Sequence, residues 1–242
     1  MGVFIVIEGP DGSGKSTIVR LLVERLTAEG HRAIATRQPS DGPIGSLIRR
    51  ALAKEEHLAR EAMGALYAAD RIDHSLRSIA PAVADGSIVV CDRYQLSNLV
   101  YRAAETEGPF YTCSTCGWHG EPVDCDGRRC PMCRWSPVVL RQEVRDRVTW
   151  ASGLDRGVRV PDLTLALAVS PTVAAARRSA RKRAAELYET DHLQARCCAL
   201  YARAEELLPG QRVRAIDANG SIDAAFAHVW TAAKGEIERR ST

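Results

Sequence analysis

Residues Gly9 to Ser16 read Gly-Pro-Asp-Gly-Ser-Gly-Lys-Ser and follow directly on an apolar run, Val3 to Ile7. A glycine and a Gly-Lys-Ser spaced this way, between a strand and a helix, are what a triphosphate needs. Gly9, Gly12 and Gly14, with Ser13 between them, let main-chain N–H groups close around phosphate oxygens. Lys15 reaches the outer phosphates, and the Ser16 hydroxyl is an oxygen ligand for Mg²⁺. A helix starting near Lys15 adds its positive end. The expected first ligand is therefore ATP with Mg²⁺.

A second group of residues suits a second phosphate. Asp92 and Arg93 follow the apolar stretch Ser87–Cys91. An acid at a strand tip beside a phosphate loop can hold Mg²⁺ directly or through water, and an adjacent guanidinium can clamp phosphate oxygens. Arg37 ends another strand-like segment, and Arg49 lies one helix later. Tyr67 and Arg71 are four apart, so they share a helix face and could stack on and hydrogen-bond a nucleobase. The stretch Ala174 to Arg183 holds Arg177, Arg178, Arg181, Lys182 and Arg183. It reads either as a solvated helix face or as a basic lid over a triphosphate. The competing readings for the others are a surface ion pair for Asp92-Arg93 and plain core for Tyr67.

Five of the eight cysteines fall between Cys113 and Cys133. Cys113-Ser-Thr-Cys116-Gly-Trp118 and Cys130-Pro-Met-Cys133-Arg-Trp135 repeat one pattern, thirteen residues apart. Two such knuckles complete a tetrahedral thiolate site, so Cys113, Cys116, Cys130 and Cys133 are the expected ligands of a structural Zn²⁺. Cys125 and His119 are spare candidates. Reduced thiols without metal, or disulfides, are the other readings. Arg128, Arg129, Arg134 and the two tryptophans could touch nucleic acid. Glu121, Asp124 and Asp126 offset that charge and favour a structural cap or interface element.

These residues must be positioned by a fold. The chain of 242 residues has a net charge of +3, too small to argue for nucleic acid by itself. Apolar strands are expected at Val3–Glu8, Arg32–Thr36, Ser87–Cys91, Leu163–Val169 and Val213–Asp217. Helical patterns occupy about 15–28, 44–54, 58–84, 94–105, 139–152, 171–186, 189–208 and 221–239. Such alternation predicts an α/β fold, a five-stranded parallel sheet with helices on both faces and ligands beyond the C-terminal strand ends. The expected organisation is a core of residues 1–108 and 138–242, an inserted zinc-ribbon-like segment at 109–137, and a lid at 174–189 within the core. No apolar run is long enough to span a bilayer, and residues 3–7 read as core strand rather than a targeting segment, so a cytoplasmic location is expected. His31, His57, His74, His192 and His228 show no ligand spacing, and Cys91, Cys197 and Cys198 read as packing residues.

The motifs together resemble thymidylate kinase of the bacterial type, a P-loop nucleoside monophosphate kinase. The resemblance rests on Phe4–Thr17, Thr36–Pro39 with Pro43–Arg49, Leu66–Arg71, Asp85–Tyr101, Pro161–Val169, the basic stretch, Glu186–Glu189 and Ala215–Ala218, and it spares about 109–137. It implies phosphoryl transfer from ATP to dTMP and a homodimer without membrane partners. Carried over by position, Asp11 sits by the acceptor sugar and catalytic centre, and Lys15, Ser16 and Thr17 serve ATP and Mg²⁺. Arg37 and Arg93 hold the acceptor phosphate, with Asp92 on the metal side. Tyr67, where the family usually has Phe, stacks on the base, and Arg71 bonds its edge. Arg49, Ser97, Asn98 and Tyr101 line that pocket, as does Arg102, which stands where many bacterial members have Gln. Arg177 and Arg181 are the expected catalytic lid arginines. Gln38 replaces a family Glu, Glu186 and Tyr188 stand in the lid segment, and the cysteine segment is not a usual part of the family. Arg102 and Gln38 leave open another or modified deoxynucleoside monophosphate as acceptor. A nucleic-acid-binding ATPase using the ribbon, or a zinc-assembled interaction protein with a residual nucleotide site, are readings from other classes.

Overall fold

The computed structural model describes residues 2–120, 129–134, 138–180 and 186–241. Strand β1 (Val3–Glu8) enters the glycine loop, and helix α1 (Lys15–Ala28) leaves it. Strand β2 (Ala33–Arg37), α2 (Pro43–Leu52) and α3 (Arg60–His74) follow. A π-helical turn at Ser75–Ile79 joins α3 to α4 (Ala80–Ala84), which leads to β3 (Ile88–Asp92) and α5 (Gln95–Ala104). Next come three short strands, β4 (Tyr111–Cys113), β5 (His119–Gly120) and β6 (Val138–Leu140), then α6 (Gln142–Gly153). The chain closes with β7 (Leu163–Ala168), α7 (Pro171–Ser179), α8 (Asp191–Tyr201), β8 (Val213–Asp217) and α9 (Ile222–Ser241).

The main sheet has the order β2-β3-β1-β7-β8, and every pair is parallel. Strand β1 is central and buried throughout, which is why it reads as an unbroken apolar run rather than an alternating one. Its two faces feed different cores. Val3, Ile5 and Ile7 pack with Leu22 of α1 and Val229 of α9. Phe4 and Val6 point the other way, to Ile79, Val89 and Tyr94. The connections place β3 and β2 on one side of β1 and β7 and β8 on the other, so the crevice beyond its C-terminal end is where a ligand belongs.

A third core joins α5 and α8 to the cysteine segment: Leu96, Leu99 and Val100 meet Leu200 and Tyr201, together with Phe110, Tyr111, Cys130 and Val138. The segment forms a small antiparallel sheet, β5-β4-β6, with Tyr111 opposite Leu140 and Cys113 opposite Val138.

Element boundaries correct the sequence reading in several places. The helix expected from 139 begins at Gln142, because Val138–Leu140 pairs with β4 instead. The helix expected over 58–84 starts at Arg60 and passes through the π turn just before Pro81, which cannot donate to the carbonyl four residues back. Helix α7 ends at Ser179, short of 186, and α8 ends at Tyr201, with a separate 3₁₀ turn at Ala204–Glu206. Strands β2 and β3 each begin and end one residue later than expected.

Candidate active site and cysteine centre

The phosphate loop is shaped by close approach. Gly12 has φ +95°, and a Cβ there would lie 2.4 Å from the Ala174 carbonyl oxygen, so no side chain fits. Helix α1 opens at Gly14, also left-handed, and aims its N-terminus into the loop. Lys15 is buried and donates to the Pro10 carbonyl at 2.9 Å. Burial, with Arg93 nearby, lowers its pKa to about 8, although Asp11, Asp92 and Glu8 act the other way. The Ser16 hydroxyl donates to Asp92 Oδ2 at 2.7 Å. The two oxygens thus adjoin one another at the head of α1, a donor set that fits Mg²⁺. Thr17 is exposed on the first turn, and Ser13 Oγ is buried without a protein partner.

Arg93 links this loop to a neighbouring cleft. It takes a left-handed conformation (φ 70°) that a non-glycine residue adopts only when its surroundings enforce it. Its N–H donates to the Ile7 carbonyl at 3.0 Å, and its guanidinium pairs with Asp11 and donates to Ser97 Oγ at 2.9 Å. Buried Glu8, at the end of β1, stabilises the same turn. It accepts the N–H groups of Tyr94 at 2.7 Å and Ser97 at 3.1 Å, capping α5 from a neighbouring strand, and it also takes the Ser97 hydroxyl. Burial pushes the Asp11 carboxyl up, but Arg93 and Lys15 more than reverse this and hold it well below the usual carboxylate range. Asp11, Arg93 and Lys15 therefore form a charged bridge between loop and cleft.

The walls of this cleft include Asp11, Tyr67, Arg71, Arg93, Ser97, Asn98, Tyr101 and Arg102. These eight expected residues come from four places: the phosphate loop, α3, the turn after β3, and α5. Arg71 is buried, with Nε on Asp155 at 2.7 Å and Nη1 on the Tyr94 carbonyl at 3.2 Å. Among the described residues, four of those that line the cleft carry a polar atom buried without a protein partner: Arg71 Nη2, Tyr94 OH, Asn98 Oδ1 and Arg102 Nε. Arg102 is tied down by Glu105 and by the Arg60 carbonyl at 2.7 Å, and it donates to Tyr188 OH at 3.3 Å.

Other expected residues sit elsewhere. Arg37 and Arg49 do not line the cleft; both approach Asp41, at 2.8 and 3.7 Å. Arg177 donates to the Ala218 and Gly220 carbonyls at 2.8 and 2.7 Å. Its neighbour Arg178 reaches that loop, donating to the Asp11 carbonyl at 3.1 Å and pairing with Asp191. Arg181 lies outside the described residues, as does Cys125. The sequence reading missed Glu8, Asp155 and Gln194 as site residues. Only Glu8 carried a signal, a lone acid ending an apolar strand.

The four expected cysteines converge. Cys113 and Cys133 sulfurs lie 3.6 Å apart, as do those of Cys116 and Cys130, and all four lie within 4.8 Å of one another. A tetrahedral Zn²⁺ with Zn–S of about 2.3 Å places its sulfurs about 3.8 Å apart, so the set fits zinc and is far too open for disulfides. Exposed His119 on β5 is not part of the group. Arg196 lies over the Phe110 ring at 3.9 Å and Arg203 over the Tyr111 ring at 4.3 Å, fastening this small sheet to the α8 side of the core. Among the described residues, no helix is long and apolar enough to cross a membrane.

Comparison with known proteins gives one consistent result. The family model described as thymidylate kinase matches residues 7–115. A thymidylate kinase of Synechococcus sp. (strain JA-3-3Ab) is 31% identical over 239 residues, covering 97% of this chain and 96% of that protein. A probable thymidylate kinase of Pyrococcus horikoshii is 43% identical over 108 residues, spanning 43% of this chain and 53% of that protein. Among solved structures, a thymidylate kinase from Candida albicans superposes with a TM-score of 0.69 at 25% identity, covering 97% of this chain and 92% of that one.

Proposed function

The chain belongs to the thymidylate kinase family, and from that premise we infer that it transfers the terminal phosphoryl group of ATP to dTMP, giving ADP and dTDP. The observation that carries the assignment is the charged bridge of Asp11, Arg93 and Lys15 between two neighbouring sites. One side is a triphosphate loop. The other is a cleft with aromatic walls and base-edge donors and acceptors.

The acceptor phosphate is already an oxyanion nucleophile, so no general base is required. Catalysis is positioning and charge neutralisation of an in-line transfer. Lys15 and the loop N–H groups hold the donor phosphates. Arg93 holds the acceptor phosphate, and Arg178 is the lid arginine with reach to the loop. Mg²⁺, bound with ATP, would be held by Ser16 and Asp92 and would screen charge between the phosphates. Arg37 joins the acceptor site by leaving exposed Asp41, at little cost, whereas Arg49 must also give up the Pro39 and Ser40 carbonyls and the Ser46 hydroxyl.

Base preference follows from two of the unpartnered atoms of the wall residues. Arg71 Nη2 is a donor and Asn98 Oδ1 an acceptor. Thymine offers O4 as acceptor and N3–H as donor, so both are satisfied. Cytosine offers the reverse pattern. Tyr67 and Tyr101 supply the stacking faces. Zn²⁺ on Cys113, Cys116, Cys130 and Cys133 would tie the two cysteine knuckles together beside the core they share with α5 and α8, a structural role rather than a chemical one. A homodimer is the expected assembly, to be read by sedimentation. The function is tested by a coupled ADP assay with ATP-Mg²⁺ and each deoxynucleoside monophosphate. Preference for dTMP supports it, and turnover without regard to the acceptor refutes it.

A further inference from the structure

Gln194 lies on α8, away from the motifs that mark the site in the sequence, and it is fully buried. Its carboxamide oxygen accepts the Asp11 N–H at 3.1 Å. Its nitrogen lies 3.2 Å from Asp11 Oδ2, 3.1 Å from Tyr101 OH and 2.9 Å from the Tyr188 carbonyl. Two hydrogens thus face three acceptors. The Tyr101 hydroxyl resolves the count, because it donates to Asp11 Oδ2 at 3.2 Å and keeps a lone pair for Gln194. One amide hydrogen goes to Tyr188, and the other is shared between Tyr101 and Asp11. Only a primary amide can accept from a main-chain N–H and donate in two directions at once.

We propose that Gln194 is a positioning residue for phosphoryl transfer. It clamps Asp11 by main chain and side chain together, and it ties the acceptor wall at Tyr188 to the phosphate loop. Asp11 is the group that meets both Arg93 and Lys15, the latter at 3.9 Å. Tyr188 stands in the cleft wall, its ring 5.5 Å from that of Tyr101 and its hydroxyl on Arg102. One buried amide therefore holds the centre of the charged bridge and the wall of the acceptor site in register. Without it, Asp11 keeps its ion pairs but loses its anchor, and the wall loses its tie. The loss falls on the acceptor and on turnover, because the donor phosphates are held by Lys15 and the loop glycines. The inference rests on the reading of the protein as a dTMP kinase.

The test uses Gln194→Met, which keeps the volume and removes every polar contact, and Gln194→Glu, which accepts the Asp11 N–H but sets a second carboxylate against Asp11. The full chain is assayed for kcat and for KM towards dTMP and ATP, with a thermal melt of each variant. For Gln194→Met, kcat/KM for dTMP falls about 10- to 100-fold, the loss expected for several buried hydrogen bonds, while KM for ATP stays within about threefold. Gln194→Glu loses more, and it carries the test if the methionine variant does not fold. A folded variant within twofold of wild type towards dTMP overturns the proposal. So does a rise of both KM values together with a lowered melt, the signature of a merely structural role. A wild-type protein inactive on every monophosphate removes the underlying kinase reading instead, so the two failures are distinct.

Discussion

Replacing Asn98 by Ala removes the acceptor proposed to meet thymine N3–H. In the wild type, dCMP would bring its N3 lone pair against Asn98 Oδ1 and its amino group against Arg71 Nη2, leaving buried groups of both partners unpaired. Each mismatch costs about 1–3 kcal/mol, so two give about 2–6 kcal/mol, a preference for dTMP of about 30- to 10⁴-fold. Asn98→Ala deletes one matched contact with dTMP and one mismatch with dCMP. The ratio of kcat/KM values for the two acceptors should therefore fall by about 5- to 150-fold. Most of that change is lost dTMP efficiency. The coupled ADP assay reads both substrates on one preparation. Loss of Asn98 with the dTMP to dCMP ratio unchanged would refute the assignment of base reading to this pair.

Lys15→Ala and Arg93→Ala should each lower turnover by about 10³-fold or more with the melt preserved, since one cation on a transferring phosphoryl supplies that much. With the Lys15 pKa near 8 in the free protein, its charged form binds triphosphate and its neutral form does not, so ATP affinity should fall about tenfold between pH 7 and pH 9, measured by equilibrium titration. Metal analysis should find about one zinc per chain, and Cys130→Ser should abolish it and lower the melt by about 5–10 °C, because Cys130 sits in the core shared with α5 and α8.

The parts legible in the sequence are those that obey local rules. Glycine spacing dictates the phosphate loop because backbone must approach phosphate and, at Gly12, the Ala174 carbonyl. The cysteine knuckles are legible for the same reason, since metal geometry fixes the spacing. Strand β1 was an apolar run because both its faces are covered. Other features depend on distant partners. Gln194 meets Asp11 from 183 positions along the chain, and Asp155 meets Arg71 from 84. No local period encodes either contact. Arg177 and Arg178 are adjacent in a basic run, about 100° apart on a helix. Only packing decides that Arg178 faces the loop while Arg177 turns to the Ala218–Gly220 backbone. Val139 and Leu140 fall at the start of a helical pattern because so short a strand shows no period of its own, and pairing with β4 decides their conformation.

The central claim is that two nucleotides meet end to end across Asp11, Arg93 and Lys15. Incubation with ATP labelled at the γ-phosphate, Mg²⁺ and dTMP tests it most directly, with the products separated. Label appearing in dTDP, stoichiometric with ADP, is the expected result. Label released only as inorganic phosphate, or left in ATP whatever the acceptor, would contradict it.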